Sequence, residues 1–139
     1  MKRIFTVLLL LLFLSGCSGS DVKEFEYMLD DGMDVLVKYD TSEGLDIKDE
    51  RFGGWSLIDV DGSNIASLSF MSKQSATSSI RYNNAERIGD DYIYYDMMNG
   101  DYMYLKSVEG SEYWACIACD VDQETTVLAA SFLSVEVVE

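Results

Sequence analysis

The chain of 139 residues has no histidine and no proline, and only 10 lysines and arginines stand against 25 aspartates and glutamates. The lack of histidine removes the commonest general base and the commonest metal ligand. The net charge of −15 argues against nucleic acid as a partner, because a phosphate backbone is bound by a basic surface. The length predicts one ordinary domain, and a hydrophobic content of 48% indicates a folding chain.

The N-terminus begins with a short positive region and a short apolar run. Lys2 and Arg3 precede the apolar residues 4–14. A helix of about 11 residues would be roughly 16 Å long, which is too short to cross a bilayer comfortably. This arrangement is typical of a signal peptide. Leu14-Ser15-Gly16-Cys17 follows and resembles the lipobox of bacterial lipoproteins.

The lipobox resemblance implies a processed and anchored protein. Residues 1–16 would be removed as the signal peptide, and the Cys17 thiol would carry a diacylglycerol that holds the protein to the cell membrane on its extracytoplasmic face. Residues 17–22 would form the lipidated cysteine and its tether, since Ser18, Gly19 and Ser20 are small or flexible. Loss of Lys2 and Arg3 leaves 8 basic residues against 25 acidic ones, so we expect anionic headgroups to repel the domain.

Residues 23–139 are predicted to form a single α+β domain. Short alternating segments rich in valine, isoleucine, tyrosine and phenylalanine are separated by glycine-containing turns, which predicts an antiparallel β meander of about 6–8 strands. Three turns predict strand registers. A three-residue loop ending at Gly32 pairs Phe25 with Val37 and Tyr27 with Val35. A two-residue turn at Asp61-Gly62 pairs Trp55 with Leu68, Leu57 with Ala66 and Ile58 with Ile65. A two-residue turn at Asn99-Gly100 pairs Tyr95 with Tyr104 and Met97 with Tyr102.

Two further segments have a different pattern. The small polar residues 72–79 predict a surface loop. Near the C-terminus, Leu128, Phe132 and Val135 recur at helical spacing, which predicts an amphipathic helix over about residues 123–134, packed on the sheet. Asp120 or Asp122 would cap this helix, and residues 135–138 could instead form a last strand.

The mature chain resembles the PsbP-like extracytoplasmic domains in outline. The resemblance rests on Val35-Leu36-Val37-Lys38-Tyr39 running into Gly44-Leu45-Asp46-Ile47, on the Asp61-Gly62 hairpin, and on a final strand followed by a helix. It implies an α+β fold and carries no diagnostic motif for an activity.

Aromatic residues are concentrated on the hairpin around Asn99-Gly100 and on the strand after it. They are Tyr92, Tyr94, Tyr95, Tyr102, Tyr104, Tyr113 and Trp114. Tyrosine is favoured in binding surfaces because it combines an apolar ring with a polar tip. We predict a partner surface formed by Tyr95, Tyr102 and Tyr104, with Lys106 at its margin. The alternative is that these rings fill the core of a small sheet.

Two other groups of residues suggest chemistry. Cys116 and Cys119 have the Cys-x-x-Cys spacing of a redox pair, but they lie inside an apolar run, where residues i and i+3 of a strand point to opposite faces. Buried structural thiols are therefore favoured over a redox pair. Aspartates cluster around residues 30–34, 59–61, 90–91 and 120–124 and could bind calcium weakly, although turn formation also accounts for them.

The sequence favours a non-catalytic lipoprotein that binds another envelope protein through an aromatic sheet face or acidic loops. No nucleophile, phosphate-loop or histidine-based motif occurs, so we expect neither an enzyme nor a cofactor. A module for a small ligand or calcium is the second interpretation. A thiol redox role of Cys116 and Cys119 is the third.

Overall fold

The computed structural model describes residues 21–50 and 54–139, so the predicted signal peptide and Cys17 lie outside it. Its elements, in chain order, are β1 (Val22–Met28), β2 (Asp34–Asp40), β3 (Asp46–Asp49), β4 (Trp55–Ile58), β5 (Asn64–Ser72), α1 (Lys73–Tyr82), β6 (Glu86–Ile88), β7 (Asp91–Asp96), β8 (Asp101–Ser107), β9 (Tyr113–Cys119), α2 (Gln123–Ser131) and β10 (Leu133–Val137). Within the described residues, neither helix is long and apolar enough to cross a membrane.

The strands form two antiparallel sheets, as expected for a largely antiparallel α+β protein. One sheet has the order β1-β2-β10, and the other has the order β3-β4-β5-β9-β8-β7-β6. The predicted simple meander of 6–8 strands is wrong, because β9 lies between β5 and β8 and the C-terminal strand β10 pairs with β2. The strand alternative for residues 135–138 is confirmed for residues 135–137.

Two of the three predicted turns have the expected register in whole or in part. The loop ending at Gly32 pairs Phe25 with Val37 and Tyr27 with Val35, and Gly32 takes the left-handed conformation (φ 86°) that the loop requires. The turn at Asp61-Gly62 pairs Trp55 with Leu68 and Leu57 with Ala66 as predicted. A register shift after Leu57 then places Ile58 opposite Asn64, so the predicted pairing of Ile58 with Ile65 is wrong.

The register predicted for the Asn99-Gly100 turn is wrong. Tyr95 pairs with Tyr102, and residues 97–100 form a four-residue connection. Asp96 explains the longer turn: its Oδ1 accepts a hydrogen bond from the Met98 N–H at 2.9 Å, and its Oδ2 accepts one from Asn99 Nδ2 at 2.7 Å. The Gly100 N–H also donates to the Asp96 carbonyl at 2.7 Å. These bonds stabilise a turn that the dipeptide pattern alone does not predict.

The predicted surface loop over residues 72–79 is instead the first turns of α1. Ser72 caps the helix, since its hydroxyl oxygen accepts a hydrogen bond from the Ser75 N–H at 3.2 Å. Only a narrow apolar stripe faces the sheet: Ala76 is fully buried, and Ile80 lies one turn further along. That stripe is too thin to stand out in a segment of serines and threonines.

Helix α2 is shorter than predicted and presents different residues to the interior. Asp122 is its N-cap and accepts a hydrogen bond from the Thr125 N–H at 2.6 Å. Thr126, Ala129 and Ala130 are buried, whereas Leu128 is 50% exposed. The prediction that Leu128, Phe132 and Val135 share one helix face is therefore wrong, because β10 begins at Leu133. Phe132 and Val135 still pack against the main core, but from the end of α2 and from β10.

The seven-stranded sheet is covered on both faces in the region of β7, β8 and β9. On one face, Ile93, Tyr104 and Ile117 belong to the main core, together with residues of the three-stranded sheet and α2. On the other face, Tyr94, Leu105 and Cys116 form a second core beneath α1. The aromatic hairpin therefore supplies core residues to both faces of the sheet.

Three connections lie at one end of the seven-stranded sheet. One row of paired residues crosses the sheet from β4 to β7: Leu57, Ala66, Cys119, Tyr102 and Tyr95. The connections 59–63, 97–100 and 120–122 all lie just beyond this row, on the same side of it. Residue 21 lies at this end too, because Lys23 Nζ contacts Asp46 Oδ1 at 2.6 Å and Asp46 pairs with Ile58 in the same region. We call it the Asp21 end, and the opposite end is the far end.

Candidate functional site

A groove lies at the Asp21 end, between the C-terminus of α1 and the β7–β8 turn. Its volume is about 590 Å³, which lies within the range of small-ligand sites. We call it the hairpin groove. Its lining residues are Ser79, Tyr82, Asn83, Asn84, Tyr94, Tyr95, Asp96, Met97 and Met98.

Large apolar side chains are exposed around the hairpin groove. Met97 is 86% exposed, Met98 is 91% exposed, and Tyr82 is 84% exposed. Methionine is flexible and polarizable and adapts to different partner surfaces, and tyrosine and methionine are enriched in protein interfaces. Tyr95, 48% exposed, adds a ring that contacts Tyr102 with 5.0 Å between the ring centroids. These side chains form a surface suited to apolar contact.

The turn that carries the methionines is held in one conformation. The hydrogen bonds from Met98 and Asn99 to Asp96 fix the chain on both sides of Met97. The same bonds, led by that from the Met98 N–H, lower the pKa of Asp96, so its carboxylate is ionised at the edge of the groove. The exposed methionine side chains thus project from a hydrogen-bonded turn.

The predicted partner residues separate into two environments. Tyr95 lines the hairpin groove, and Tyr102 lies half-buried beside it. Tyr104 is in the main core, where its hydroxyl donates to Asp91 Oδ2 at 2.7 Å. Lys106 lies further along β8, where its Nζ donates to the Leu133 carbonyl at 2.8 Å. The core-filling alternative thus describes Tyr104, and Tyr95 and Tyr102 remain the candidates for partner contact.

Sequence reasoning missed the other lining residues of the hairpin groove. Tyr82 lies three residues after the segment 72–79 that is predicted as a surface loop, and the register predicted for the Asn99-Gly100 turn puts Met97 within a strand opposite Tyr102. One signal was available, since Met97 and Met98 stand directly before the Asn-Gly pair, which places two large apolar side chains next to a predicted turn.

The cysteine pair lies on β9 in the arrangement expected for structural thiols. Cys116 and Cys119 are both free and buried. Their side chains point to opposite faces of the strand, and Cys116 belongs to the core beneath α1. Burial raises the pKa of the Cys116 thiol to about 12, although a hydrogen bond with Ser69 acts in the opposite direction. A protonated, buried thiol is a poor nucleophile.

The aspartates in the turns make hydrogen bonds within those turns. Asp59 Oδ1 accepts from the Asp61 N–H at 3.1 Å and from the Ser63 N–H at 3.2 Å, and Asp61 Oδ1 accepts from the Ser63 hydroxyl at 2.6 Å. In the described part of the chain, no three acidic, histidine or cysteine side chains come together in a way that could hold a metal ion. The calcium alternative therefore has no assembled set of ligands among these residues.

A second cavity lies on the outer face of α1. It has a volume of about 740 Å³ and is lined by Lys73, Gln74, Thr77, Ser78, Arg81, Tyr82 and Glu112. Most of its residues come from one helix, and Lys73, Gln74, Thr77 and Arg81 are solvent-exposed. Only Glu112 comes from outside α1, whereas β7 and the β7–β8 turn supply five of the residues that line the hairpin groove.

Comparison with known proteins assigns the N-terminal segment. Residues 1–18, which include Cys17, match the prokaryotic membrane lipoprotein lipid attachment site. The match indicates a bacterial membrane lipoprotein. No curated protein and no solved structure matches this lipoprotein, and the comparisons give no support to the resemblance to PsbP-like domains.

Proposed function

We propose that this lipoprotein is a non-catalytic binding module on the extracytoplasmic face of the membrane, and that the hairpin groove holds a segment of another envelope protein. The observation that carries the proposal is the exposure of Tyr82, Met97 and Met98 around one groove. None of these three side chains belongs to either core, so none of them stabilises the fold by being buried. Exposed apolar side chains grouped in this way mark a site of contact with another molecule.

The shape of the site favours a protein segment over a compact substrate. The exposed side chains around the hairpin groove are methionines, which adapt to partners of varied shape, and an aromatic ring. Catalysis needs a nucleophile or an acid–base group held in a defined position, whereas the one carboxylate at the groove, Asp96, is engaged in its own turn. This arrangement supports binding without chemistry.

Substitution of the two exposed methionines tests the proposal. The full-length lipidated protein is cross-linked in its native membrane, and proteins recovered with it are quantified by mass spectrometry. Met97→Ser/Met98→Ser should reduce recovery of one recurrent extracytoplasmic partner by at least about tenfold, since loss of about 1.4 kcal/mol of binding free energy is tenfold in affinity.

Met28→Ser is the matched control, because Met28 is also exposed (64%) but ends β1 at the far end. Its partner recovery should equal that of the wild type. All three proteins should show the same unfolding temperature, since the substituted side chains are exposed. Equal recovery with and without the two methionines would overturn the proposal.

A small apolar ligand is the second candidate occupant, favoured by the volume of about 590 Å³. It predicts that a compound from a small-molecule screen raises the unfolding temperature of the wild type by mass action and has a weaker effect on Met97→Ser/Met98→Ser. Addition of calcium and removal with EDTA, applied in the same assay, tests the calcium alternative.

A further inference from the structure

The N-terminal tether joins the domain at the same end at which the hairpin groove lies. Thr41 donates two hydrogen bonds to the Asp21 carbonyl, from its backbone N–H at 2.6 Å and from its hydroxyl at 2.9 Å. The loop that Thr41 begins also reaches the β4–β5 turn, since a β-carbon on Gly44 would lie 2.9 Å from Val60 Cγ1. Residue 21 is thus held on the side of the Asp21 end where the β4–β5 turn lies.

The length of chain before residue 21 limits how far this end can lie from the membrane. Four peptide steps separate Cys17 from Asp21. Fully extended, they span at most about 14 Å. With a lipid anchor on Cys17, residue 21 therefore lies close to the bilayer surface. The hairpin groove lies across the sheet from residue 21, because β7 is five strands from β3, or about 24 Å at 4.8 Å per strand, and it reaches the same surface when the Asp21 end faces the bilayer.

The turns at the Asp21 end are strongly acidic. Residues 59–63, 96–101 and 120–122 contain six aspartates and no lysine or arginine, and Arg81, the basic residue next to Tyr82, lies on the outer face of α1. A hydrogen bond from the Thr125 N–H also lowers the pKa of Asp122. An anionic bilayer surface would be repelled by these charges, whereas a cationic segment would be attracted.

Apolar residues project from the same acidic turns. Val60 is 87% exposed and Val121 is 53% exposed, in addition to Met97 and Met98. A ligand that matches this end must therefore combine positive charge with apolar side chains. Flexible methionines beside acidic groups suit such a segment, because they contact apolar side chains of varied shape.

We propose that the Asp21 end binds a lysine- or arginine-rich apolar segment of a partner protein, and that this segment lies next to the bilayer. The inference rests on the proposed function and adds the chemistry and the location of the partner. It also gives the short tether a role, which is to keep the hairpin groove within reach of a partner segment that lies next to the bilayer.

Photo-cross-linking in the native membrane tests the chemistry of the partner. The full-length lipidated protein carries p-benzoylphenylalanine in place of Met98 or, as the control, in place of Met28. Attachment from position 98 to a basic peptide adjacent to a membrane-spanning segment is the expected result. Attachment to an acidic or membrane-distal peptide would overturn the inference and leave the proposed function intact. Attachment only to lipid, or equal yields from positions 98 and 28, would overturn both.

Charge-neutralising substitutions test the electrostatic part. Asp101→Asn/Asp120→Asn/Asp122→Asn removes three charges, and the amide oxygen of an asparagine at position 122 can still accept the hydrogen bond from the Thr125 N–H that caps α2. The yield from position 98 should fall by at least about fivefold. The control set Asp30→Asn/Asp49→Asn/Asp90→Asn, which lies at the far end, should leave the yield unchanged. Equal yields from the two sets would contradict a cationic partner.

Lengthening the tether tests the location. A 20-residue Gly/Ser insertion between Ser20 and Asp21 lengthens the connection from Cys17 to Asp21 about sixfold, from four peptide steps to 24. The effective concentration of a membrane-fixed partner falls roughly as the −3/2 power of linker length, which predicts an approximately 15-fold loss of cross-linking at limiting partner. An unchanged yield would show that the partner is not held at the membrane surface.

Discussion

The turns at the two ends of the domain place their apolar residues in opposite environments. At the far end, Leu29 and Val108 are each 2% exposed and belong to the main core. At the Asp21 end, Val60 is 87% exposed and Met98 is 91% exposed. The far-end turns therefore stabilise the fold, whereas the turns at the Asp21 end leave apolar side chains available for contact with another molecule.

The largest expected effect comes from placing a charge in one turn of each end. Val108→Asp should lower the free energy of unfolding by more than about 4 kcal/mol, because it buries an unpaired carboxylate in the main core. Val60→Asp should change it by less than about 0.5 kcal/mol, since the side chain is in solvent. Urea denaturation measures both. Similar losses in the two variants would show that the ends do not differ as described.

A smaller difference in unfolding free energy is expected between the two tyrosines of β8, Tyr102 and Tyr104. Tyr104→Phe removes a hydrogen bond to the Asp91 carboxylate and should cost about 1.5–3 kcal/mol of unfolding free energy. Tyr102→Phe should cost less than about 0.5 kcal/mol, because Tyr102 lies half-buried next to Tyr95 at the Asp21 end. Urea denaturation at pH 7 gives both values, and equal losses would contradict the placement of Tyr104 in the core.

The same hydrogen bond predicts how stability depends on alkaline pH. Burial and the interaction with Asp91 raise the pKa of Tyr104 above its ordinary value of 10.0. The unfolded chain then loses this proton before the folded chain does, so the stability is fully present below pH 10 and declines as pH rises above it. Tyr39, whose pKa burial also raises, contributes in the same direction. Tyr104→Phe should therefore show a shallower decline above pH 10 than the wild type.

The smallest expected effect is that the two cysteines of β9 are not alkylated in the folded protein. Cys116 lies in the middle of β9 and Cys119 is its last residue, and both are buried, so neither should be alkylated by iodoacetamide in the folded protein at pH 7.5. Both should react fully in 8 M urea, which serves as the control. Peptide mass spectrometry reads each cysteine separately, and rapid labelling of Cys116 in the folded state would favour the thiol redox role.

Local patterns in the sequence predict part of this structure well. The alternation around Phe25, Val35 and Val37 and the glycine at position 32 specify the first hairpin, because a shift of one residue would turn every apolar side chain to the wrong face. Trp55 and Leu68 specify the second hairpin in the same way. Such registers depend on residues near one another in the chain.

Other features depend on contacts that a local pattern does not contain. Helix α1 has only Ala76 and Ile80 to indicate its buried side, and their significance depends on the second core formed by Tyr94, Leu105 and Cys116. The pairing of β10 with β2 joins segments almost 100 residues apart. The hairpin groove needs both α1 and the longer β7–β8 turn, so Tyr95 could be predicted as a candidate, whereas Tyr82, which lies on the unpredicted helix, could not.

Methionine oxidation in the native membrane tests the difference between the two ends most directly. The wild-type protein is exposed to hydroxyl radicals in intact membranes and again after purification in detergent, and sulfoxide is quantified at each methionine. With a partner in the hairpin groove, Met97 and Met98 should be oxidised several-fold less in the membrane than after purification, and Met28 should be oxidised equally in both. Equal oxidation of Met97 and Met98 in the two samples would contradict the assignment of the Asp21 end as the binding surface.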